Sequence, residues 1–482
     1  MAKVYKLDQE EVLKQGINLD SLENIANYLE KELSLRLSIT DYKKQETTAP
    51  LTWNDVKSAL GSNEAAIEVV RFNGFLPDSG GKFTDQVYYA ALIVTSRTKS
   101  HPGLVLIENG RELEDVWLKY YKNCIRFHVH DDTTYIHFWK AIKDAPVMHG
   151  IKKIYLSPDG VYNQININTL VNSETGKYVL DEQEIVVLSN TKDVVQLKRG
   201  KGMGNSLAGA VLIGYPDYDF RNNKANETRN LPSIPVKGVR NIENQEKIEY
   251  LPGTREEVLK ISELFAENGI AVQTLLEAKA SEDNIKSPEF IYNSPPVIHI
   301  ATHGFFTQKA NSILSYADTV FTDVSQIRII DKSAENPLMH SGLLLAGASH
   351  AYENSVLVEE IQAVLKNQKV EDGVLTSYEV MNLNLQNTDL VFLSACETGL
   401  GEVKNGEGVY GLQRAFQTAG AKSIIMSLWK VDDEATKDFM IHFYQFYFES
   451  FDIRKAFYAA QLETRKKYPH PYYWGAFVII GK

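Results

Sequence analysis

Cysteine is scarce. Only Cys124 and Cys396 occur in 482 residues. That excludes a disulfide framework and a thiolate zinc site. It points to free thiols in a reducing, cytoplasmic setting, with one thiol available as a nucleophile. Positive charge is short as well: 51 Lys and Arg stand against 62 Asp and Glu, a net charge of −11. A broad electrostatic footprint for nucleic acid or for an anionic membrane is therefore not expected. No apolar run approaches about 18 residues, so no transmembrane helix is expected. No basic stretch leads into an apolar one at the start, so no secretory signal is expected either. What is present is a globular balance of 44% hydrophobic and 23% charged residues. Such a chain fills sizeable cores without staples, and its length suggests two to four domains.

Three stretches differ in pattern. Residues 1–49 are charged and helix-favouring. Val12, Leu13, Ile17, Leu19, Leu22, Ile25, Leu29 and Leu33 recur there at roughly helical spacing. This segment has no core of its own and is expected to pack on the next domain, or to be the tail of a longer protein. Residues 50–196 read as one α/β unit, with strands "AAIEVVRF" (65–72), "YYAALIVT" (88–95), "GLVLIEN" (103–109), "KKIYLSPDG" (152–160) and "EIVVLSN" (184–190). A basic, glycine-rich linker, "LKRGKGMGNS" (197–206), opens the third stretch, 197–482. There "AGAVLIGYPDY" (208–218), "AVQTLLE" (271–277), "PPVIHIATHGFF" (295–306), "SGLLLAGA" (341–348), "DLVFLSACE" (389–397), "AKSIIMSLW" (421–429) and "WGAFVIIG" (474–481) alternate with helical segments. Strands apolar on both faces, alternating with helices, predict a mainly parallel sheet covered on both sides.

The stretch "LVFLSACETGLG" (390–401) runs a buried strand into Cys396 and then into Gly399 and Gly401. "VIHIATHG" (297–304) does the same with His303 and Gly304. In parallel sheets reactive groups collect past the carboxyl ends of strands. Glycine lets backbone approach a substrate and frees N–H groups to face it. If the two strands are neighbours, the imidazole can take the thiol proton and later protonate a leaving group. Amides near Cys396 and Gly304 can then stabilise an oxyanion. A lone buried cysteine is usually a small inert hydrophobe, and a lone strand histidine is usually core. The joint pattern favours chemistry. His299, four residues earlier on the strand, reads as a core residue or a support for the site.

"LPGTREEV", "YLSPDG", "VIHIATHGFF", "SGLLLAGA", "LVFLSACETGLGEVKNGEGVYGLQRAFQTAGAKSIIMSLWKVDD" and "HPYYWGAFVIIG" together resemble the CHAT family over roughly residues 50–482. These are caspase- and separase-like cysteine peptidases often attached to tetratricopeptide repeats. The resemblance implies a caspase-like sheet flanked by helices, and a pseudo-protease-like, non-catalytic first unit before the catalytic one. It implies His303 as base, Cys396 as nucleophile and an oxyanion hole from the amides of Gly304 and Cys396. No metal or organic cofactor is expected in catalysis. "SLWKVDDEAT" (427–436) resembles the separase-type segment whose acidic residue lines the specificity pocket. Asp433 matches best, with Asp432 adjacent, and a carboxylate there would favour Arg or Lys before the scissile bond. A capping aspartate ahead of a helix from Glu434 is the plainer alternative. Asp217 is a second acidic candidate, and Trp429 can wall the pocket or belong to the core. Residues 1–49 are too short for a repeat array, so either the sequence is part of a longer chain or a regulator acts in trans. The implied partners are a protein substrate, such as a pore-forming or toxin-like effector of cell death or bacterial defence, and an activator.

Other signals carry less. The glycines of "GKGMGNSLAGA" (200–210) precede a strand, so the dinucleotide fingerprint fails. "FHVHDD" (127–132) reads as a half-exposed strand carrying His128 and His130, short of the three or four ligands a zinc site needs. "QLKRGKG" (196–202) and the basic loop 220–250 are candidate self-cleavage points or plain solvated linkers. Two alternatives to a peptidase stay open: a catalytically idle caspase-fold interaction module, and a hydrolase or acyltransferase acting on small thioesters or amides.

Overall fold

The computed structural model describes residues 51–77, 81–199, 209–221, 248–306, 338, 341–351, 371–395, 402–404, 408–430 and 432–481. Cys396, Gly399 and Gly401 lie outside the described residues, as do the N-terminal stretch 1–50 and most of the loop 220–250.

The first half contributes helix α1 (Trp53–Ala59), strands β1 (Glu64–Leu76), β2 (Lys82–Thr95) and β3 (Gly103–Ile107), and helix α2 (Leu118–Arg126). Strands β4 (Lys153–Ser157) and β5 (Glu184–Val187) and helix α3 (Asp193–Arg199) complete it. The second half runs β6 (Ala210–Pro216), α4 (Pro252–Glu267), β7 (Val272–Glu277), β8 (Val297–Ala301), β9 (Gly304–Phe306), β10 (Ser341–Leu344) and β11 (Val374–Thr376). It continues through β12 (Leu390–Ser394), β13 (Glu402–Lys404), β14 (Gly408–Tyr410), α5 (Leu412–Ala419), β15 (Ser423–Ser427), α6 (Asp433–Ser450), α7 (Ile453–Lys467) and β16 (Phe477–Gly481).

Both halves share one eleven-stranded sheet, ordered β3-β2-β1-β4-β5-β16-β15-β12-β8-β6-β7. It is mixed and mostly parallel. The pairs β1–β2, β2–β3 and β15–β16 are antiparallel and the others parallel. The halves meet where β16 lies beside β5, with Ile480 opposite Val187.

The central strands β8, β12 and β15 are buried along their whole length, because helices cover both faces. Leu212, Phe392 and Ile425 point to one side, onto Val258 and Phe265 of α4 and Phe439, Phe443 and Tyr444 of α6. Ile213, Ile300, Val391 and Met426 point to the other, onto Leu412 and Phe416 of α5. Each such side chain contributes about 1.5–3 kcal/mol by leaving water. The first core continues under β1 and β2 through Ile67, Tyr89 and Ile93, so one apolar layer underlies both halves. At Gly214, α4 packs against β6 so closely that a Cβ would stand 2.7 Å from Val258 Cγ2.

Residues 127–132, expected as a strand, form instead a turn after α2. Phe127 N–H donates to Asn123 O and Val129 N–H to Cys124 O, and His128 takes φ 54°. The helix end recruits these amides before any strand partner can. No helix of the described residues is long and apolar enough to cross a membrane.

Candidate active site

The strands β6, β8, β12 and β15 are mutually parallel neighbours, so their carboxyl ends share one rim. Ala301 of β8 stands opposite Ser394 of β12. The chain beyond β8 gives Thr302 and His303, and the chain beyond β12 leads through Ala395 to Cys396. The Ala395 carbonyl accepts a 2.7 Å bond from Ser427 Oγ on β15, which holds the backbone just before the cysteine. Gly304 is buried and opens β9, opposite Leu343 of β10.

His303 is half-buried. Its Nε2 lies 2.8 Å from the carbonyl oxygen of Glu249. A carbonyl only accepts, so Nε2 carries the proton and Nδ1 holds the lone pair. Burial pushes the imidazole below its ordinary pKa, and the Lys430 ammonium adds to that. The Glu249 carbonyl and the Asp433 carboxylate act the other way. The ring is thereby kept neutral, as a proton acceptor must be. The main-chain carbonyl of His303 accepts from Leu344 N–H at 2.9 Å, and its imidazole lies 5.7 Å from the Tyr218 ring, centroid to centroid. Tyr218 O–H also meets Thr302 Oγ1 at 3.0 Å.

The carbonyl that orients His303 is itself anchored. Tyr250, next to Glu249, donates its hydroxyl to Asp217 Oδ1 at 2.8 Å. Asp217 lies just past β6, where a bulge between Gly214 and Pro216 and a φ of 46° at Tyr215 turn the chain. Its carbonyl accepts from Gly347 N–H at 3.0 Å. Among the sequence candidates, Asp217 therefore serves inward, holding Tyr250. Sequence reasoning missed Glu249 and Tyr250. Glu249 acts through its main chain, which leaves no signature in side-chain identity.

Asp432, the adjacent candidate, is the N-cap of α6: its Oδ1 accepts from the amides of Glu434 and Ala435, both at 3.1 Å. Asp433 is the first residue of that helix and is exposed. It faces Gly253 of α4, where a Cβ would stand 3.8 Å from Asp433 Oδ2. Of the two readings of Trp429, pocket wall or core, the second matches its surroundings. It is buried, donates Nε1–H to Tyr472 O at 2.9 Å and packs edge-on against Tyr121 of the first half.

Beneath the rim lies a buried polar triad. Glu257 of α4 takes His299 Nε2 at 2.7 Å on one carboxylate oxygen and Ser394 Oγ at 3.0 Å on the other. His299 Nδ1 meets Tyr444 O–H of α6 at 3.2 Å. This network links β8, β12, α4 and α6. Among the described residues, one acidic group has the spacing for a metal, Glu282, Glu371 and Glu379. The Lys286 ammonium already sits among these carboxylates, at 2.5, 3.1 and 3.1 Å.

The model of the CHAT domain matches residues 135–482, well over half of the chain. The chain belongs to the CHAT family. The matched stretch begins beyond β3, later than the resemblance read from about residue 50. Tetratricopeptide repeat protein 28 of Mus musculus is 23% identical over 237 residues, which is 48% of this CHAT chain and 8% of that protein. The CHAT chain thus spans a small fraction of that relative's length. Among solved structures, the Arg-specific cysteine proteinase gingipain R aligns at a TM-score of 0.39 with 9% identity, covering 77% of this chain and 75% of that one. The separase–securin complex of Saccharomyces cerevisiae aligns at 0.41 with 10% identity, covering 89% and 30%.

Proposed function

We propose that this CHAT protein is a cysteine endopeptidase with His303 as base and Cys396 as nucleophile. The observation that carries the reading is His303, two residues past β8: neutral, with Nε2–H spent on Glu249 O and Nδ1 left as acceptor, while β8 lies beside β12, whose last residue Ser394 precedes Cys396 by two in the sequence. In this reading Nδ1 takes the thiol proton and the thiolate attacks the peptide carbonyl. The amides of Gly304 and Cys396 receive the oxyanion. The C–N bond breaks as His303 returns the proton to the leaving amine. Water, deprotonated by His303, then cleaves the thioester and releases the acid.

Asp433 supports a preference for Arg or Lys before the scissile bond. It is exposed at the rim, and its charge reaches His303. The substrate is a folded or flexible protein segment, such as a pore-forming or toxin-like effector. A repeat-containing activator in trans and self-processing within 196–202 or 220–250 complete the proposal.

A peptide-library cleavage profile tests it. The expected result is cleavage after Arg or Lys, abolished in Cys396→Ala and in His303→Ala, with Asp433→Asn cutting the preference at least about tenfold. A wild-type enzyme with no turnover on any library peptide or protein mixture, or a fully active Cys396→Ala, would leave an idle interaction module as the reading.

A further inference from the structure

The antiparallel end of the sheet, β1 to β3, is largely apolar on both faces, Glu68 opposite Leu92 excepted, and the described residues cover the outer face only in part. Inward, Ile67, Val69, Tyr89 and Ile93 join the main core. Outward, the register places Phe72 opposite Tyr88, Ala90 opposite Leu106, and Leu92 opposite Leu104. These side chains make one continuous surface: Leu104 is 62% exposed, Leu106 45%, Phe72 41% and Leu92 38%. Phe72 and Tyr88 stack on it at 5.4 Å. An antiparallel edge that faces water normally alternates apolar with polar. A contiguous apolar surface on an open edge strand marks a contact site.

The same outer layer is occupied further along. Val56 of α1 and Val194 and Val195 of α3, with Leu60 just past α1, pack on Ala66, Val94, Tyr155 and Val186. The exposed surface is therefore the unfilled continuation of a helical layer. It spans β1 to β3, about 10 Å at ordinary strand spacing, which is the width of one helix. The chain that precedes α1 carries the complementary pattern: apolar residues at helical spacing from Val12 to Leu33, set among charges, with no core of their own. The connecting residues 39–50 reach about 40 Å when extended, enough to bring that stripe onto any part of the surface. Tethering makes this partner far more concentrated than any free one.

We propose that residues 7–38 dock by their apolar stripe onto the outer face of β1–β3, extending the layer of α1 and α3. The occupant is this chain's own N-terminal segment, not a second copy.

The test uses the full chain with Leu104 replaced by the photocrosslinker p-benzoylphenylalanine, and a control at Leu259, which is exposed on α4. Irradiation followed by peptide mapping is expected to give cross-links within one chain to residues 7–38 from position 104 and none there from position 259. Cross-links from position 104 to a second copy, to other segments only, or to none of residues 7–38 would overturn the proposal. As a second arm, Leu104→Arg with Leu106→Arg is expected to speed tryptic cutting within residues 1–50 at least about tenfold without lowering Tm. Unchanged cutting in a folded double variant counts against it.

Discussion

Ala301 and Ser394 stand opposite each other in adjacent parallel strands, each two residues before a member of the candidate dyad. In the sequence, His303 and Cys396 thus follow this paired register at equal offsets. The consequences for reactivity, pH dependence and stability can each be measured.

The two thiols should differ sharply in reactivity. Burial pushes the Cys124 thiol up to about 11, and the nearby Asp131 carboxylate adds to the shift. At pH 7 about one part in ten thousand of such a thiol is thiolate, against about 3% for an ordinary cysteine. Iodoacetamide at pH 7 should therefore label Cys396 at least about a hundredfold faster than Cys124, as read by peptide mass spectrometry. Equal rates would remove the case for an activated nucleophile.

The acid limb of kcat/KM against pH should have its midpoint below about 6.5, the ordinary histidine value. His303 is lowered by burial first, so the neutral, base-competent ring persists to lower pH. Lys430→Gln removes a charge that disfavours the imidazolium and should move the limb up. Asp433→Asn removes a charge that favours it and should move the limb down. Opposite shifts from the two variants are the discriminating result.

Tyr250→Phe should lower kcat about ten- to a hundredfold with little change in KM or Tm, by loosening the carbonyl that orients His303. Asp217→Ala should match it. Asp217→Asn, which keeps an acceptor for the Tyr250 hydroxyl, should retain most activity. Because the two residues act through one bond, the double variant should be no worse than either single one.

Glu257→Ala would leave His299 and Ser394 facing each other in the interior without their shared acceptor. Urea denaturation should show a loss of about 3–5 kcal/mol. Glu257→Gln can still accept from Ser394 and donate to His299 and should lose about 1–2 kcal/mol. Equal losses in the two variants would mean that the carboxylate's charge, not its hydrogen bonds, matters there.

The nearly unbroken apolar runs of β8, β12 and β15 were readable as buried strands because such runs need helices on both faces. The start of α6 was readable to within one residue from the aspartates ahead of Glu434. Between Asp432 and Asp433, spacing could not say which capped the helix, since one residue's shift exchanges the two roles. Trp429 sits in the core for the same kind of reason: its environment comes from Tyr121 and Tyr472, far away in the chain. The turn at His128 was misread as strand because a polar–apolar alternation also fits a helix end folding back on itself.

The sequence by itself determined the element types, the thiol and imidazole beside their glycines, and family membership, because these are written in local pattern and residue identity. Only the tertiary structure decided that β8 lies against β12, that both halves share one sheet through β5 and β16, and that a main-chain oxygen of Glu249 sets the proton on His303. Strand order, and contacts made through backbone atoms, depend on which distant segments pack together, and no single stretch of residues carries that information.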